Sequence, residues 1–144
     1  MSKQPFGTLL GKTKEGIEAF SNANSSYISE QYIATGMKWQ CVEFARRWLL
    51  KVKNIELPQV DFAYELWKLG ERTTTPLPGN LLIYSKEYLG TGHVAVIVEV
   101  NEDSIKVAEQ NYLNEKWPGS YARVIDFKNR KINDSSLLGI IRPY

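Results

Sequence analysis

At residue 80 the chain changes its period. Before the Thr- and Pro-rich stretch 73–80 the strongest pattern is helical, with Val42, Ala45, Trp48, Leu49 and Val52 recurring at steps of three and four. After it, apolar residues come in strand-sized runs at 81–84, 93–100, 105–111, 121–127 and 137–142. The turns between these runs are too short for the crossovers that parallel neighbours need, so the sheet is expected to be mainly antiparallel. Helices first and sheet afterwards define an α+β fold, with N-terminal helices packed on the sheet. A chain of 144 residues, 43% of them apolar, fits one domain spanning 1–144.

The remaining elements read less sharply. Residues 7–10 and 16–20 flank a Gly/Lys/Thr turn and predict an N-terminal hairpin. Residues 25–34 predict a short helix with Tyr27, Tyr32 and Ile33 as its apolar positions, ended by Gly36. The main helix is expected over 41–53, where Glu43 and Arg47 stand four apart in the favourable order. A further helix is expected over 61–69, capped near Asp61 and stopped by Gly70. Residues 73–80 are a loop.

Several functions find no support in the composition. No apolar run approaches the roughly 18 residues of a membrane span, and residues 1–7 carry no apolar leader. A cytoplasmic location is the expectation, and one unpaired cysteine agrees with it. The net charge of +2 comes from scattered Lys and Arg, with short clusters only at Arg46-Arg47 and 128–131. Without a basic stripe interleaved with stacking aromatics, no nucleic-acid partner is expected. No metal or organic cofactor is implied, because Cys41, His93 and one carboxylate lack the Cys/His pairs of structural zinc motifs. Trp39, Trp48 and Trp67 read as core, not as a ligand cage.

The chain has one cysteine and one histidine, and both fall at element ends. Cys41 opens the main helix, where aligned peptide dipoles and unpaired N–H groups favour an anionic sulfur and can bind an oxyanion. His93 opens the second strand run, and Glu109-Gln110-Asn111 closes the third. A three-residue loop at 101–103 would place His93 opposite Asn111 and diagonal to Glu109 on one face of the sheet. A slip of one residue would send the acid to the other face, so the site requires this register. Ala95, Ile97, Ile105 and Val107 share that face and are expected to receive the Ala45/Trp48 side of the helix. Val94, Val96, Val98 and Val100 would form the remaining core. Nucleophile, base and orienting carboxylate are thus available for thiol hydrolysis.

The segments Trp39-Gln40-Cys41-Val42-Glu43-Phe44-Ala45-Arg46-Arg47-Trp48, Thr91-Gly92-His93-Val94-Ala95, Ala108-Glu109-Gln110-Asn111 and 5–11 resemble the CHAP domain, a papain-like family of cysteine- and histidine-dependent amidohydrolases and peptidases. Within it they are similar to the amidase domain of glutathionylspermidine synthetase/amidase. The resemblance implies a nucleophile at Cys41, a general base and acid at His93, an orienting acid at Glu109 and a further polar member at Asn111. It makes Gln40 and the Cys41 N–H oxyanion candidates and gives Arg46 a substrate carboxylate to bind. The implied reaction is hydrolysis of glutathionylspermidine, a peptide–polyamine conjugate, to glutathione and spermidine. The ATP-dependent synthetase part of the bifunctional enzymes has no counterpart in these residues, so hydrolysis alone is expected. Two alternatives accompany this one: a peptidoglycan amidase or endopeptidase, and an inactive CHAP-like binding module.

Overall fold

The computed structural model describes residues 3–143. Strands β1 (Leu9–Lys12) and β2 (Glu18–Phe20) form the expected antiparallel hairpin. The two-residue strands β3 (Tyr32–Ile33) and β4 (Gly36–Met37) pair next. Helix α1 (Cys41–Trp48) follows and continues as a π-helical turn, Leu49–Lys53. A 3-10 helix, Ala63–Lys68, precedes β5 (Glu71–Thr73), β6 (Leu81–Tyr84), β7 (His93–Val100), β8 (Ser104–Ala108), β9 (Arg123–Asp126) and β10 (Leu137–Arg142). These six strands make one antiparallel sheet in the order β5-β10-β6-β7-β8-β9. The architecture is the α+β fold expected, compatible with a papain-like CHAP domain.

Three local expectations need correction. Residues 25–34 form no helix. Asn24 instead holds the Ser26 N–H through its side chain at 3.0 Å and the Tyr27 N–H through its carbonyl at 3.2 Å. Tyr27, Ile28 and Tyr32 stay exposed, so no buried face exists to offset the entropy of helix formation. The 61–69 element is a shorter 3-10 helix. The Glu65 carboxylate accepts the Phe62 N–H at 2.8 Å, which starts the helix after Asp61. Glu71–Thr73 is a strand where none was expected, paired to the edge of β10.

The β7–β8 hairpin reaches its expected register by a different route. The turn is tighter than predicted: Val100 faces Ile105, and the Asn101 N–H bonds the Ser104 carbonyl at 2.8 Å. A bulge between Ile97 and Glu99 absorbs the difference, so that Val96 faces Ala108 and Ile97 faces Val107. The odd offset flips Val100 away from Val94, Val96 and Val98. It packs instead with the cluster of Ala95, Ile97, Ile105 and Val107.

The helix also takes the face opposite to the one expected. Val42, Ala45, Trp48 and Leu49 bury against Val94, Val96, Val98, Leu81 and Ile83. The other face is covered by Ile125, Phe127 and Ile140, with Ile132 and Leu137 beside them. Both faces of β7 are aliphatic, so alternation carries no information about which one receives the helix.

Candidate active site

The site lies where three element termini meet. Cys41 is the first residue of α1, and Gln40 before it is extended with no side-chain cap. The Cys41 N–H therefore heads the helix with no acceptor inside it. His93 is the first residue of β7 and is 1% exposed. Gly92 precedes it at φ +74°, and a Cβ there would lie 2.5 Å from the Tyr84 carbonyl oxygen. Only glycine lets the strand begin so close to β6. Glu109 follows the last residue of β8 and is buried.

These ends bring the three residues together. His93 Nε2 lies 2.8 Å from Glu109 Oε1. A carboxylate only accepts, so Nε2 carries the hydrogen and Nδ1 is the ring nitrogen left to take a proton; His93 and Cys41 line the same groove. Burial pulls the imidazole pKa down. Hydrogen bonds and charge from Cys41 and Glu109 outweigh it and raise the value from 6.5 to about 9. For Glu109, burial pushes upward but the bond to His93 and the Arg123 guanidinium win, holding the carboxyl below its ordinary range. Tyr84, Tyr88 and Tyr112 surround the imidazole at ring distances of 5.5, 5.5 and 5.3 Å.

The raised imidazole makes His93 stabilising at low pH. Its proton binds more tightly in the folded state, so its contribution is complete below 6.5 and fades as pH passes about 9. The stability difference between the wild type and His93→Gln, followed by calorimetry from pH 5 to 10, should shrink through that window. A difference independent of pH would contradict it.

Asn111 and Gln40 belong to a neighbouring network. Asn111 stands at φ 58°, off the strand ladder, and its Nδ2 donates to Gln40 Oε1 at 3.1 Å. Its Oδ1 accepts from Asn22 and Asn114, each at 3.3 Å. Asn111 thus orients Gln40, not the imidazole. Arg46 does not line the groove above Cys41. Its Nε donates to the Leu57 carbonyl at 2.8 Å and its Nη1 to Gln59 Oε1 at 3.0 Å, tying down the loop that forms one wall.

That groove has a volume of about 460 Å³ and is open to solvent. Cys41, Gln40, His93 and Asn111 lie along it, between walls from 25–28, 59–63 and 88–92. Tyr27, Ile28, Phe62 and Leu89 are exposed there, and apolar surface at the mouth of a groove marks a ligand-binding face. Among the described residues no group of three His, Cys, Asp or Glu is placed to hold a metal ion, and no helix is long and apolar enough to cross a membrane.

Sequence reasoning missed the support behind these residues. Glu43 and Arg47, read only as a favourably ordered pair four apart, are buried: Arg47 Nε meets Glu43 Oε2 at 2.7 Å and Nη2 meets Oε1 at 3.1 Å. Thr35 and Gln110 close the network onto Glu43 at 2.6 and 2.9 Å, and Gln110 also donates to the Gln40 carbonyl at 3.1 Å. This ties the segment after β8 to the start of α1. Its one legible signal was Gln110, between two candidate site residues. Arg123 carried no signal at all.

A six-stranded antiparallel sheet, a helix headed by cysteine and a histidine–glutamate pair at the strand ends make an α+β protein compatible with a papain-like fold. The sequence matches the CHAP domain over residues 32–111, and the chain belongs to that family. It is 35% identical over 150 residues to trypanothione synthetase of Crithidia fasciculata, covering 88% of this chain and 23% of that protein. It is 32% identical over 148 residues to the bifunctional glutathionylspermidine synthetase/amidase of Escherichia coli (strain K12), covering 79% of this chain and 24% of that protein. The chain spans about a quarter of the length of these curated relatives.

Proposed function

We propose that the chain is a cysteine amidase that cleaves glutathionylspermidine to glutathione and spermidine through a thioester. The observation that carries this reading is the buried Glu109–His93 pair beside Cys41 at the edge of an open groove. The name of the E. coli relative supplies the substrate.

The chemistry follows from the geometry. The Cys41 proton passes to His93, and the sulfur attacks the amide carbonyl carbon. The Cys41 N–H, with Gln40 beside it, stabilises the oxyanion. His93 then protonates the leaving amine as the C–N bond breaks and the thioester forms. An acylated sulfur carries no negative charge, so its upward influence on the imidazole disappears while the downward pull of burial remains. His93 thereby becomes a neutral base in the acyl-enzyme, takes a proton from water, and hydroxide displaces the thiolate. Glu109 holds the tautomer throughout. Arg46 shapes the groove by fixing the Leu57–Gln59 wall, and Asn111 presents Gln40.

Mixing the protein with glutathionylspermidine should release spermidine and, after acid quenching, show a glutathionyl thioester on Cys41 by mass spectrometry. Cleavage of purified peptidoglycan with no release of spermidine would overturn the substrate. No turnover and no acylation of Cys41 would overturn the reaction.

A further inference from the structure

Arg123 stands behind the acid. On β9 it pairs with Val107 of β8, two residues before Glu109 and on the same side of the sheet. Its Nε donates to Glu109 Oε2 at 2.6 Å and its Nη2 to Oε1 at 3.1 Å. Oε1 is also the oxygen that meets His93 Nε2. The guanidinium is itself held, with Nη2 donating to the Tyr84 hydroxyl at 3.0 Å and its carbon 3.8 Å from the Tyr112 ring centre. We propose that Arg123 is a positioning residue of this site, which clamps both oxygens of Glu109 and keeps that carboxylate charged while His93 gains and loses its proton.

The need for such a clamp comes from burial. Glu109 is 3% exposed, and a buried carboxylate without a cation takes up a proton instead. When His93 is protonated it supplies the cation. When His93 is neutral, as hydrolysis of a thioester requires, Arg123 is the only cation bonded to Glu109 among the described residues. The other titratable groups around the imidazole are Cys41 of α1, Tyr84 of β6, Tyr88 and Tyr112. None of them is a fixed positive charge. Removing Arg123 therefore makes the Glu109–His93 pair hold its proton to higher pH, at the expense of the base.

A second, smaller opening makes this testable. It is lined by Glu109, Tyr112, Trp117 and Arg123, with Glu115 and Lys116 as its other charged groups, and not by Cys41 or His93. A small cation can enter there when the arginine side chain is cut away.

The inference rests on the amidase reading, and the experiment separates the two. Hydrolysis is followed against pH for the wild type, Arg123→Ala, Arg123→Gln and Arg123→Lys, with Cys41 alkylation by iodoacetamide alongside. Arg123→Ala and Arg123→Gln should move the acid limb up by about one to two pH units, since a nearby opposite charge is worth roughly one to three. At pH values on that limb this is a loss of about tenfold or more. Arg123→Lys should leave the limb in place. Guanidinium chloride well below denaturing concentration should restore Arg123→Ala, while urea, its neutral isostere, should not. Should Arg123→Ala fail to fold, the Gln and Lys variants decide the matter. An active wild type with an unmoved limb in Arg123→Gln, or equal rescue by urea, overturns the clamp alone. A wild type that neither hydrolyses nor alkylates overturns both.

Discussion

In the proposed amidase, replacing Cys41 with Ala will remove amide hydrolysis, lowering kcat by about four orders of magnitude or more, and His93→Ala will come close to the same loss with the sulfur still present. The reason lies in how few groups do the work. The thiol has one proton acceptor in the site, and that acceptor is bonded on its other side to Glu109 at 2.8 Å. Groups that act as one unit show non-additive losses, so the double variant should be no worse than either single one. Residual rate over water would come from the groove and the helix N–H alone. Single-turnover assays with mass detection of the thioester give the direct measure. Iodoacetamide should alkylate Cys41 quickly at pH 6–7 in the wild type and slowly in His93→Ala. Hydrolysis that survives in Cys41→Ala would show that the sulfur is not the nucleophile.

The largest expected loss of stability sits nearly two helical turns away. Arg47→Met should cost about 3–5 kcal/mol, because it leaves the Glu43 carboxylate buried without its cation. The Glu43 side chain is 0% exposed and that of Arg47 9%, so water cannot replace the lost bonds. The arginine also lies over the Phe20, Trp39 and Phe44 rings, at 5.8, 5.7 and 5.5 Å. Domains of this kind are stable by roughly 5–15 kcal/mol in total. The urea midpoint should therefore fall by more than about 1 M for an ordinary dependence on denaturant. Glu43→Leu combined with Arg47→Met should be less damaging than Arg47→Met alone, since a vacated pair is cheaper than a stranded charge. An unchanged midpoint in Arg47→Met would mean that the pair is not buried in solution. The effect reaches the site as well, because Gln110 joins Glu43 to the Gln40 carbonyl beside Cys41.

Much of the candidate site was legible because its members sit on elements with strong local periodicity. The helix opening at Cys41 follows from the spacing of Val42, Ala45, Trp48 and Leu49, and the strand opening at His93 from an unbroken aliphatic run. The same-face relation of His93 and Glu109 was also legible, since side-chain direction alternates strictly along a strand. Even so, the loop length was off by one, and only the bulge near Val98 restored the register. Segment 25–34 misled because its aromatics fit a helical spacing, while their exposure shows that no partner surface stands behind them.

What the chain order determined by itself was where a thiol, an imidazole and a carboxylate fall on helix and strand ends. Backbone periodicity is a local property, and three residues at three termini follow from it. What tertiary structure decided was everything requiring a choice between equivalent surfaces: the face of β7 that takes α1, the burial of Glu43 with Arg47, and the placing of Arg123 against Glu109. Those choices depend on how the sheet brings together strands distant in sequence, and contacts across it join residues whose spacing in the chain carries no period.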